Sequence, residues 1–170
     1  MESAPLPNAD KTISNDGLTL IQRFEGLSLK AYKDIAGILT IGYGHTGSDV
    51  KPGMVISPQQ AHELLARDAS FASAIVRANV TRELSQGEFD ALTSFVFNIG
   101  PGRPGVRDGF VWLKNGEHST LLKLVNFGLP KQAADEILAW NKSNGKSVLG
   151  LTRRRQAERK LFLTGIVKPI

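Results

Sequence analysis

Three residues near the start of the chain combine residue types and a spacing that suit the hydrolysis of a glycosidic bond. Glu25 is followed nine residues later by Asp34, and Thr40 follows after six more. Glycoside hydrolysis uses two carboxyl groups, one that stays protonated to donate to the leaving oxygen and one that stays ionised. A hydroxyl such as that of Thr40 helps to hold a water. The alternative is that Glu25 caps or salt-bridges at a helix end and Asp34 shapes a turn, since sixteen acidic residues make many chance pairs.

The elements around these residues predict that all three lie on one wall of a cleft. Good capping residues at 14–16 open a short predicted helix that ends near Glu25. Residues 29–47 alternate short apolar runs with glycines, which predicts a small antiparallel sheet carrying Asp34 and Thr40. If the sheet folds back beside the helix, the three side chains converge.

A long helix and a mostly helical region follow. Ser57 caps a helix that has Pro58 at its first position and that we expect to end near residue 80. The apolar stripe of this helix is Ala61, Leu64, Leu65, Phe71, Ala72, Ile75 and Val76. Ser85 and Glu88 form a capping box that opens the next helix. Later segments are predicted as helices at 121–125, 131–140 and 152–163, with a loop at 141–150.

Because strands come together and helices come together, the predicted fold class is α+β. We expect residues 1–13 to form a flexible leader and residues 14–170 to form a single domain. A β-containing lobe spans about 25–56, and a linking helix spans about 57–80. The remaining helical lobe spans about 81–165 and packs with the first helix.

Composition excludes several kinds of site. The absence of cysteine removes disulfides, iron–sulfur clusters, Cys-ligated zinc and a thiol nucleophile. His45, His62 and His118 lack close ligand spacing, so we expect no metal and no cofactor. No apolar run approaches the roughly 18 residues that a membrane span needs, and residues 1–16 lack the pattern of a signal peptide. We therefore expect a soluble protein that starts in the cytoplasm, with no stable membrane insertion.

A glycine pattern in the predicted sheet matches the letters of a nucleotide-binding fingerprint but not the structural context that the fingerprint needs. Gly42, Gly44 and Gly47 fit G-x-G-x-x-G, but that fingerprint needs a helix opening at the glycines within a βαβ unit. The residues after Gly47 read as a loop, so the glycines are expected to serve turns and close packing. His45 beside this strand is expected to be a packed, hydrogen-bonded residue, with a proton shuttle as the alternative.

Positive charge is concentrated near the C-terminus. The net charge is +5, and residues 152–160 contribute four of those charges. Such a patch favours nucleic acid, a membrane surface or an anionic polymer, or it is a solvated helix face. Nucleic-acid binding would need base-contacting or stacking residues beside the cations, and Phe162 is the only aromatic residue there. We therefore expect no nucleic-acid partner.

The sequence is similar to the phage-type lysozymes, the muramidase endolysins of glycoside hydrolase family 24. The family signature is a Glu, eight residues, an Asp, five residues and a Thr, which Glu25, Asp34 and Thr40 satisfy. Further blocks resemble the family in the right order, between about residues 15 and 163. They are Phe24-Glu25-Gly26, Ala31-Tyr32, Thr40-Ile41-Gly42-Tyr43-Gly44-His45-Thr46, Phe97-Asn98-Ile99-Gly100, Ser119-Thr120-Leu121-Leu122, and Gly150-Leu151 with Arg154-Arg155 and Ala157-Glu158.

The resemblance implies a lysozyme-like fold, with a small N-terminal β-containing lobe, a larger helical C-terminal lobe and a cleft between them. It also implies hydrolysis of the β-1,4 bond between N-acetylmuramic acid and N-acetylglucosamine in peptidoglycan. Glu25 would be the general acid, Asp34 would activate water from the opposite face, and Thr40 would help to place that water. The expected stereochemical outcome is inversion.

The resemblance further implies residues that support the site. One arginine near the C-terminus is expected to pair with Glu25, and Arg155 is favoured over Arg154. His45 and Tyr43 are expected to support the site as well. The enzyme is expected to be a monomer that waits in the host cytoplasm until another protein opens the inner membrane. Its other cations could draw it to an anionic cell envelope.

One departure from the family and two rival functions remain open. Residues 103–118 form a longer segment than many members have; its apolar centre, Phe110-Val111-Trp112-Leu113, either packs on the helical lobe or borders the cleft. An inactive relative or carbohydrate-binding module would bind glycan without cutting it. A lytic transglycosylase would form an anhydro product and needs no residues that place water. The presence of Asp34 and Thr40 therefore favours hydrolysis.

Overall fold

The computed structural model describes residues 3–167 of the 170-residue chain. Within that range the elements are α1 (Asn15–Glu25), β1 (Ser28–Lys33), β2 (Leu39–Gly42), β3 (His45–Thr46), α2 (Pro58–Asn79), α3 (Gln86–Ile99), α4 (Thr120–Asn126), α5 (Pro130–Ile137), β4 (Lys142–Ser143), β5 (Lys146–Ser147) and α6 (Leu149–Thr164). A small sheet is followed by a long helix and then by further helices, which confirms the predicted α+β class. None of these helices is long and apolar enough to cross a membrane.

Serine caps define where four of the helices, α1 to α4, begin. The Ser57 hydroxyl accepts from the backbone N–H of Gln60, whose side chain accepts from the Ser57 N–H in return. Ser85 and Glu88 make the same reciprocal pair at the start of α3, as predicted. The Ser119 hydroxyl accepts from the N–H of the residue at N3 in α4. Each such cap stabilises its helix by about 1 kcal/mol.

The first three strands form an antiparallel sheet in the order β1–β2–β3. Tyr32 lies opposite Thr40, and Thr40 lies opposite Thr46. Residues directly opposite each other project to the same face of a sheet, so these three side chains form one row. Ile41 projects to the other face, where it is fully buried in a core with Val50, Ile56 and Ala61.

The main core is built around α3, whose residues from 89 to 96 are all buried. Helices α2 and α6 pack against it. Asp90 on α3 also fixes the start of α1, because its carboxylate accepts from both the backbone N–H and the hydroxyl of Ser14. The first helix, which ends at Glu25, is therefore attached to the helical lobe at its N-terminal end.

The segment expected to be a flexible leader is anchored over its described part. Asn8 is 1% exposed; its Nδ2 donates to the carbonyl of Arg82 at 2.7 Å and its Oδ1 accepts from the N–H of Leu84 at 2.9 Å. The Arg77 guanidinium donates to the carbonyl of Lys11. These contacts hold the segment on the connection between α2 and α3, which corrects the expectation of flexibility. Residues 1 and 2 lie outside the described part.

Residues 103–118 pack on the helical lobe, which is the first of the two expectations for this segment. Phe110 is fully buried, and its ring meets that of Phe95 edge-on with 6.2 Å between centroids. Trp112 stacks on His118 with 4.4 Å between the ring centroids. The backbone in the middle of the segment packs against the chain just before it, since a Cβ on Gly109 would lie 2.0 Å from the backbone nitrogen of Gly102.

Two local expectations need correction. The predicted loop at 141–150 contains a short hairpin of β4 and β5, in which Asn144 adopts a positive φ of 51°. Phe71 was predicted to belong to the buried stripe of α2, but its side chain is 68% exposed. The buried face of α2 is instead formed by Ala61, Leu65, Ala69, Ala72, Ser73 and Val76.

Candidate active site

An open cleft of about 400 Å³ lies between the sheet, α2 and α3. Glu25 at the end of α1 lines it, together with Gly44 and Thr46 from the β2–β3 region. The other lining residues come from α2 and α3 and are Asp68, Phe71, Ala72, Ile75, Val96, Phe97 and Asn98. Residues 103–118 contribute nothing to this lining, which argues against the alternative that they border the cleft.

Glu25 is fixed between two distant parts of the chain. Its Oε1 accepts from Nη1 of Arg154 at 2.5 Å, and the side chain stays 21% exposed. On its other side lies Gly44, where a Cβ would sit 3.3 Å from Oε2. Gly44 also has a φ of +80°, a conformation that glycine adopts without strain. The carboxyl group is therefore held in place while remaining open to the cleft.

The arginine that pairs with Glu25 is Arg154, so the preference for Arg155 was wrong. Consecutive residues of a helix point about 100° apart, and only Arg154 reaches Glu25. Arg155 is turned into the core, with its guanidinium 4.9 Å from the centroid of the Phe95 ring. From there its Nη2 donates to Oδ1 of Asn98 at 2.9 Å, so it supports a cleft-lining residue indirectly.

A buried carboxylate holds both arginines. Glu158 is 0% exposed, and its Oε1 accepts from Nε of Arg154 at 3.2 Å and from Nη2 of Arg155 at 2.8 Å. The Ser94 hydroxyl donates to the same oxygen at 2.9 Å. Burial lowers the pKa of the Arg155 guanidinium, although the charge of Glu158 opposes this shift. Glu158 and Ser94 were not predicted as site residues, because no local pattern marks a residue that acts through another.

Asp34 closes the β1–β2 hairpin. Its backbone N–H donates to the carbonyl of Ile38, and the Ile38 N–H donates back to Oδ1 of Asp34 at 2.9 Å. Oδ2 has no hydrogen-bond partner among the described residues. By strand alternation Asp34 lies on the same face as Tyr32 and therefore as Thr40. It shapes a turn, as the alternative reading supposed, and also leaves one oxygen open.

Thr40 stands beside the cleft without lining it. It is 4% exposed, and it is the direct cross-strand neighbour of Thr46, which does line the cleft. Its hydroxyl donates to the carbonyl of Ile38 at 3.0 Å. Because the hydroxyl hydrogen is already used, the oxygen is left to accept a hydrogen bond from water.

His45 joins the sheet to α2 through Asp68 and also contacts Asp49 in the loop after β3. Its Nδ1 lies 2.8 Å from Oδ2 of Asp68, and its Nε2 lies 3.0 Å from both carboxylate oxygens of Asp49. Burial lowers the pKa of His45, but the hydrogen bonds and charges of the two aspartates outweigh burial and leave the pKa raised. The same contact lowers the pKa of Asp49. This is the expected packed histidine, and Asp68 is a cleft residue that sequence reasoning missed.

Tyr43 is not brought together with the other site residues. It packs between two small cores and lines a separate shallow groove beside Gln22 and Leu27. Within the described residues, no group of three or more His, Asp and Glu side chains is arranged to hold a metal ion.

Comparison with known proteins gives consistent matches over most of the chain. A family model described as phage lysozyme matches residues 22–158. The endolysin of Bacillus phage B103 is 45% identical over 160 residues; the match covers 93% of this chain but 56% of that relative, so the chain spans just over half of its length. The endolysin of Salmonella phage P22 is 39% identical over 89% of this chain and 98% of its own. Among solved structures, an endolysin from Escherichia coli O157:H7 phage FAHEc1 superposes with a TM-score of 0.76 at 34% identity, covering 94% of this chain and 98% of that one.

Proposed function

This chain belongs to the phage lysozyme family, and we propose that it is an endolysin that hydrolyses bacterial peptidoglycan to lyse the host. The bond cut is the β-1,4 bond between N-acetylmuramic acid and N-acetylglucosamine. The observation that carries the proposal is the position of Glu25, held by a buried arginine in an open cleft beside the sheet face of Asp34 and Thr40.

Glu25 acts as the general acid. It gives its proton to the glycosidic oxygen as the bond to the anomeric carbon breaks, so that the leaving sugar departs as a neutral alcohol. The carboxylate that remains is stabilised by the 2.5 Å contact with Arg154. Because Glu158 holds Arg154 from behind, this charge partner is in position before the reaction begins.

Asp34 and Thr40 place and activate the attacking water. The free Oδ2 of Asp34 accepts a hydrogen bond from the water and takes that proton as the water oxygen bonds to the anomeric carbon. The Thr40 oxygen accepts a hydrogen bond from the other hydrogen of the water, which stays on the product. The lone pair of the water then points away from both residues, toward the anomeric carbon. Attack from the side opposite to the protonated leaving group inverts the configuration at that carbon.

The surface that attracts the enzyme to its substrate is smaller than the sequence suggested. Of the five cations at 153–160, Arg154 and Arg155 are buried and Arg159 pairs with Asp135 at 2.9 Å. Arg153 and Lys160 line a groove between α1 and α6. This groove supports a weak, salt-dependent attraction to an anionic cell envelope. The enzyme acts as a monomer on glycan strands, which it reaches after another protein permeabilises the inner membrane.

Digestion of purified peptidoglycan tests the proposal against its rivals. Loss of turbidity is followed for the wild type and for Glu25→Gln, and the released fragments are analysed by mass spectrometry. Reducing muramic ends that vanish with Glu25→Gln support hydrolysis. Anhydro-muramic ends would identify a lytic transglycosylase instead. Binding without cleavage by the folded wild type, on walls from several hosts, would identify a carbohydrate-binding module.

A further inference from the structure

A large aromatic side chain stands exposed on the wall of the cleft. Phe71 is 68% exposed, and burying such a side chain would otherwise contribute about 1.5–3 kcal/mol to folding. The core face of α2 is built from other residues, including Ala69 and Val76. Phe71 therefore contributes little to the fold from its position, and its exposed ring faces a cavity that it shares with Glu25.

The cleft side of α2 is a single stripe. Asp68, Phe71, Ala72 and Ile75 all line the cavity, and their spacing of i, i+3, i+4 and i+7 places them on one helix face. Asp68 marks the end nearest the sheet, because it contacts His45 of β3. At 1.5 Å per residue, Ile75 lies roughly 10 Å further along the helix axis. The stripe thus changes from polar near the sheet to apolar beyond Phe71.

We propose that Phe71, flanked by Ile75, is a sugar-stacking subsite that binds one pyranose ring of the glycan strand beyond the bond that is cut. This inference rests on the proposed function. A pyranose ring has an apolar face of C–H groups and a polar rim of hydroxyls, which matches a flat aromatic ring in a cleft that also presents the polar side chains of Asp68 and Asn98. A glycan that passes Glu25 in this cleft runs along the same helix face.

The charge of the cleft favours a neutral sugar over a stem peptide as the occupant. The residues that line the cavity include two acids, Glu25 and Asp68, and no lysine or arginine. Stem peptides of peptidoglycan carry carboxylates, which this lining does not complement. An N-acetylglucosamine ring is uncharged, so it meets no like charge on entering beside the aromatic ring.

A stacking subsite contributes equally to the substrate and to the transition state. Its loss therefore raises the dissociation constant and KM while leaving kcat close to that of the parent. A role of Phe71 in catalysis or in folding would lower kcat or the thermal midpoint instead. These readouts separate a binding role from a structural one.

The test measures binding of soluble glycan oligosaccharides, with and without stem peptides, by titration calorimetry in a Glu25→Gln background that leaves the ligand intact. Phe71→Ala and Phe71→Leu are each expected to weaken binding roughly five- to tenfold, because Leu is apolar but has no flat face. Phe71→Trp is expected to keep or improve the affinity. Phe127→Ala is the matched control, since Phe127 is 77% exposed at the end of α4 and outside the cleft. Thermal midpoints are recorded for all variants.

Three outcomes would overturn the inference. Phe71→Ala could bind the bare glycan as well as Phe127→Ala does, which leaves Phe71 without a role in sugar binding. Weakening confined to fragments that carry stem peptides would assign the subsite to the peptide. Failure of the proposed function is recognised separately. The wild type then releases no fragments from peptidoglycan, and the Glu25→Gln protein binds no glycan. In that case the stacking subsite is refuted together with the proposed function.

Discussion

Arg154 donates from Nη1 to Oε1 of Glu25 at 2.5 Å, a contact between residues 129 positions apart in the chain. It fixes the C-terminal end of α1 to α6, while the bonds between Ser14 and Asp90 fix the other end to α3. The helix that carries the proposed general acid is thus attached at both ends to the helical lobe. The placement of Glu25 therefore depends on side chains that do not line the cleft.

Replacing Arg154 by lysine should separate positioning from charge. Arg154→Lys keeps a cation but loses the planar fork that contacts Glu25, Glu158 and the Ser94 carbonyl together. We expect kcat on soluble peptidoglycan fragments to fall roughly 10- to 100-fold with a smaller change in KM, because a small misplacement of the acid is costly. Arg155→Lys is the control. It should lower the free energy of unfolding while leaving kcat closer to the wild-type value than Arg154→Lys does. An unchanged kcat for Arg154→Lys would refute the positioning role.

Glu158→Gln should be strongly destabilising. The carboxylate is fully buried and neutralises two arginines that would otherwise repel each other without a counter-charge. Removing one partner of a buried ion pair costs about 3–5 kcal/mol, which urea unfolding measures. Asp135→Asn is the matched comparison, since its pair with Arg159 is exposed and should be worth no more than about 1 kcal/mol. Similar losses in both variants would contradict the account.

Stability should depend on pH through His45. Its pKa is raised in the folded protein by Asp68 and Asp49, which outweigh burial. Because the pKa of His45 is higher in the folded than in the unfolded protein, the charged histidine stabilises the fold. This stabilisation is fully present below the pKa of the unfolded state, about 6.5, and is lost as the pH rises through the pKa of the folded state. Compared with His45→Gln, the wild type should have a higher thermal midpoint at pH 5.5 and lose much of that advantage by pH 9. A difference in thermal midpoint between the wild type and His45→Gln that stays constant from pH 5.5 to pH 9 would rule out stabilisation by a charged His45.

The segment 103–118 should depend on one close backbone contact. A Cβ at Gly109 would meet the nitrogen of Gly102 at 2.0 Å, so Gly109→Ala forces the backbone apart and should cost about 1–3 kcal/mol. Gly150→Ala is the control because its added Cβ meets nothing within 4 Å in the first turn of α6. It should be neutral or stabilising by up to about 1 kcal/mol. Equal free energies of unfolding for Gly109→Ala and Gly150→Ala would show that the segment accommodates the added Cβ without cost.

The sequence predicted the parts that depend on local chemistry. Ser57 and Ser85 cap helices as expected, because a cap involves residues only three positions apart. The spacing of Glu25, Asp34 and Thr40 pointed to a helix end, a hairpin and a neighbouring strand, which is where the structure has them. Their catalytic roles stay predictions.

What the sequence did not predict depends on how elements meet. Two adjacent arginines on α6 look equivalent in the chain, and the choice of Arg154 follows only from how the helix is rotated against α1. Asp68 becomes part of the cleft because β3 folds onto α2 and places His45 beside it. Phe71 reads as core because it is apolar at helical spacing, but the buried face of α2 is set by α3 packing against it.

The stereochemistry of the newly formed reducing end tests the central claim most directly. Proton NMR in the first minutes of digestion, before the anomers equilibrate, shows which anomer the enzyme releases from soluble glycan strands. We predict that the α-anomer appears first from the β-linked substrate, and that Glu25→Gln and Asp34→Asn release none at a comparable rate. Release of the β-anomer first would contradict direct attack by a water held by Asp34 and Thr40, and the absence of any reducing end would contradict hydrolysis itself.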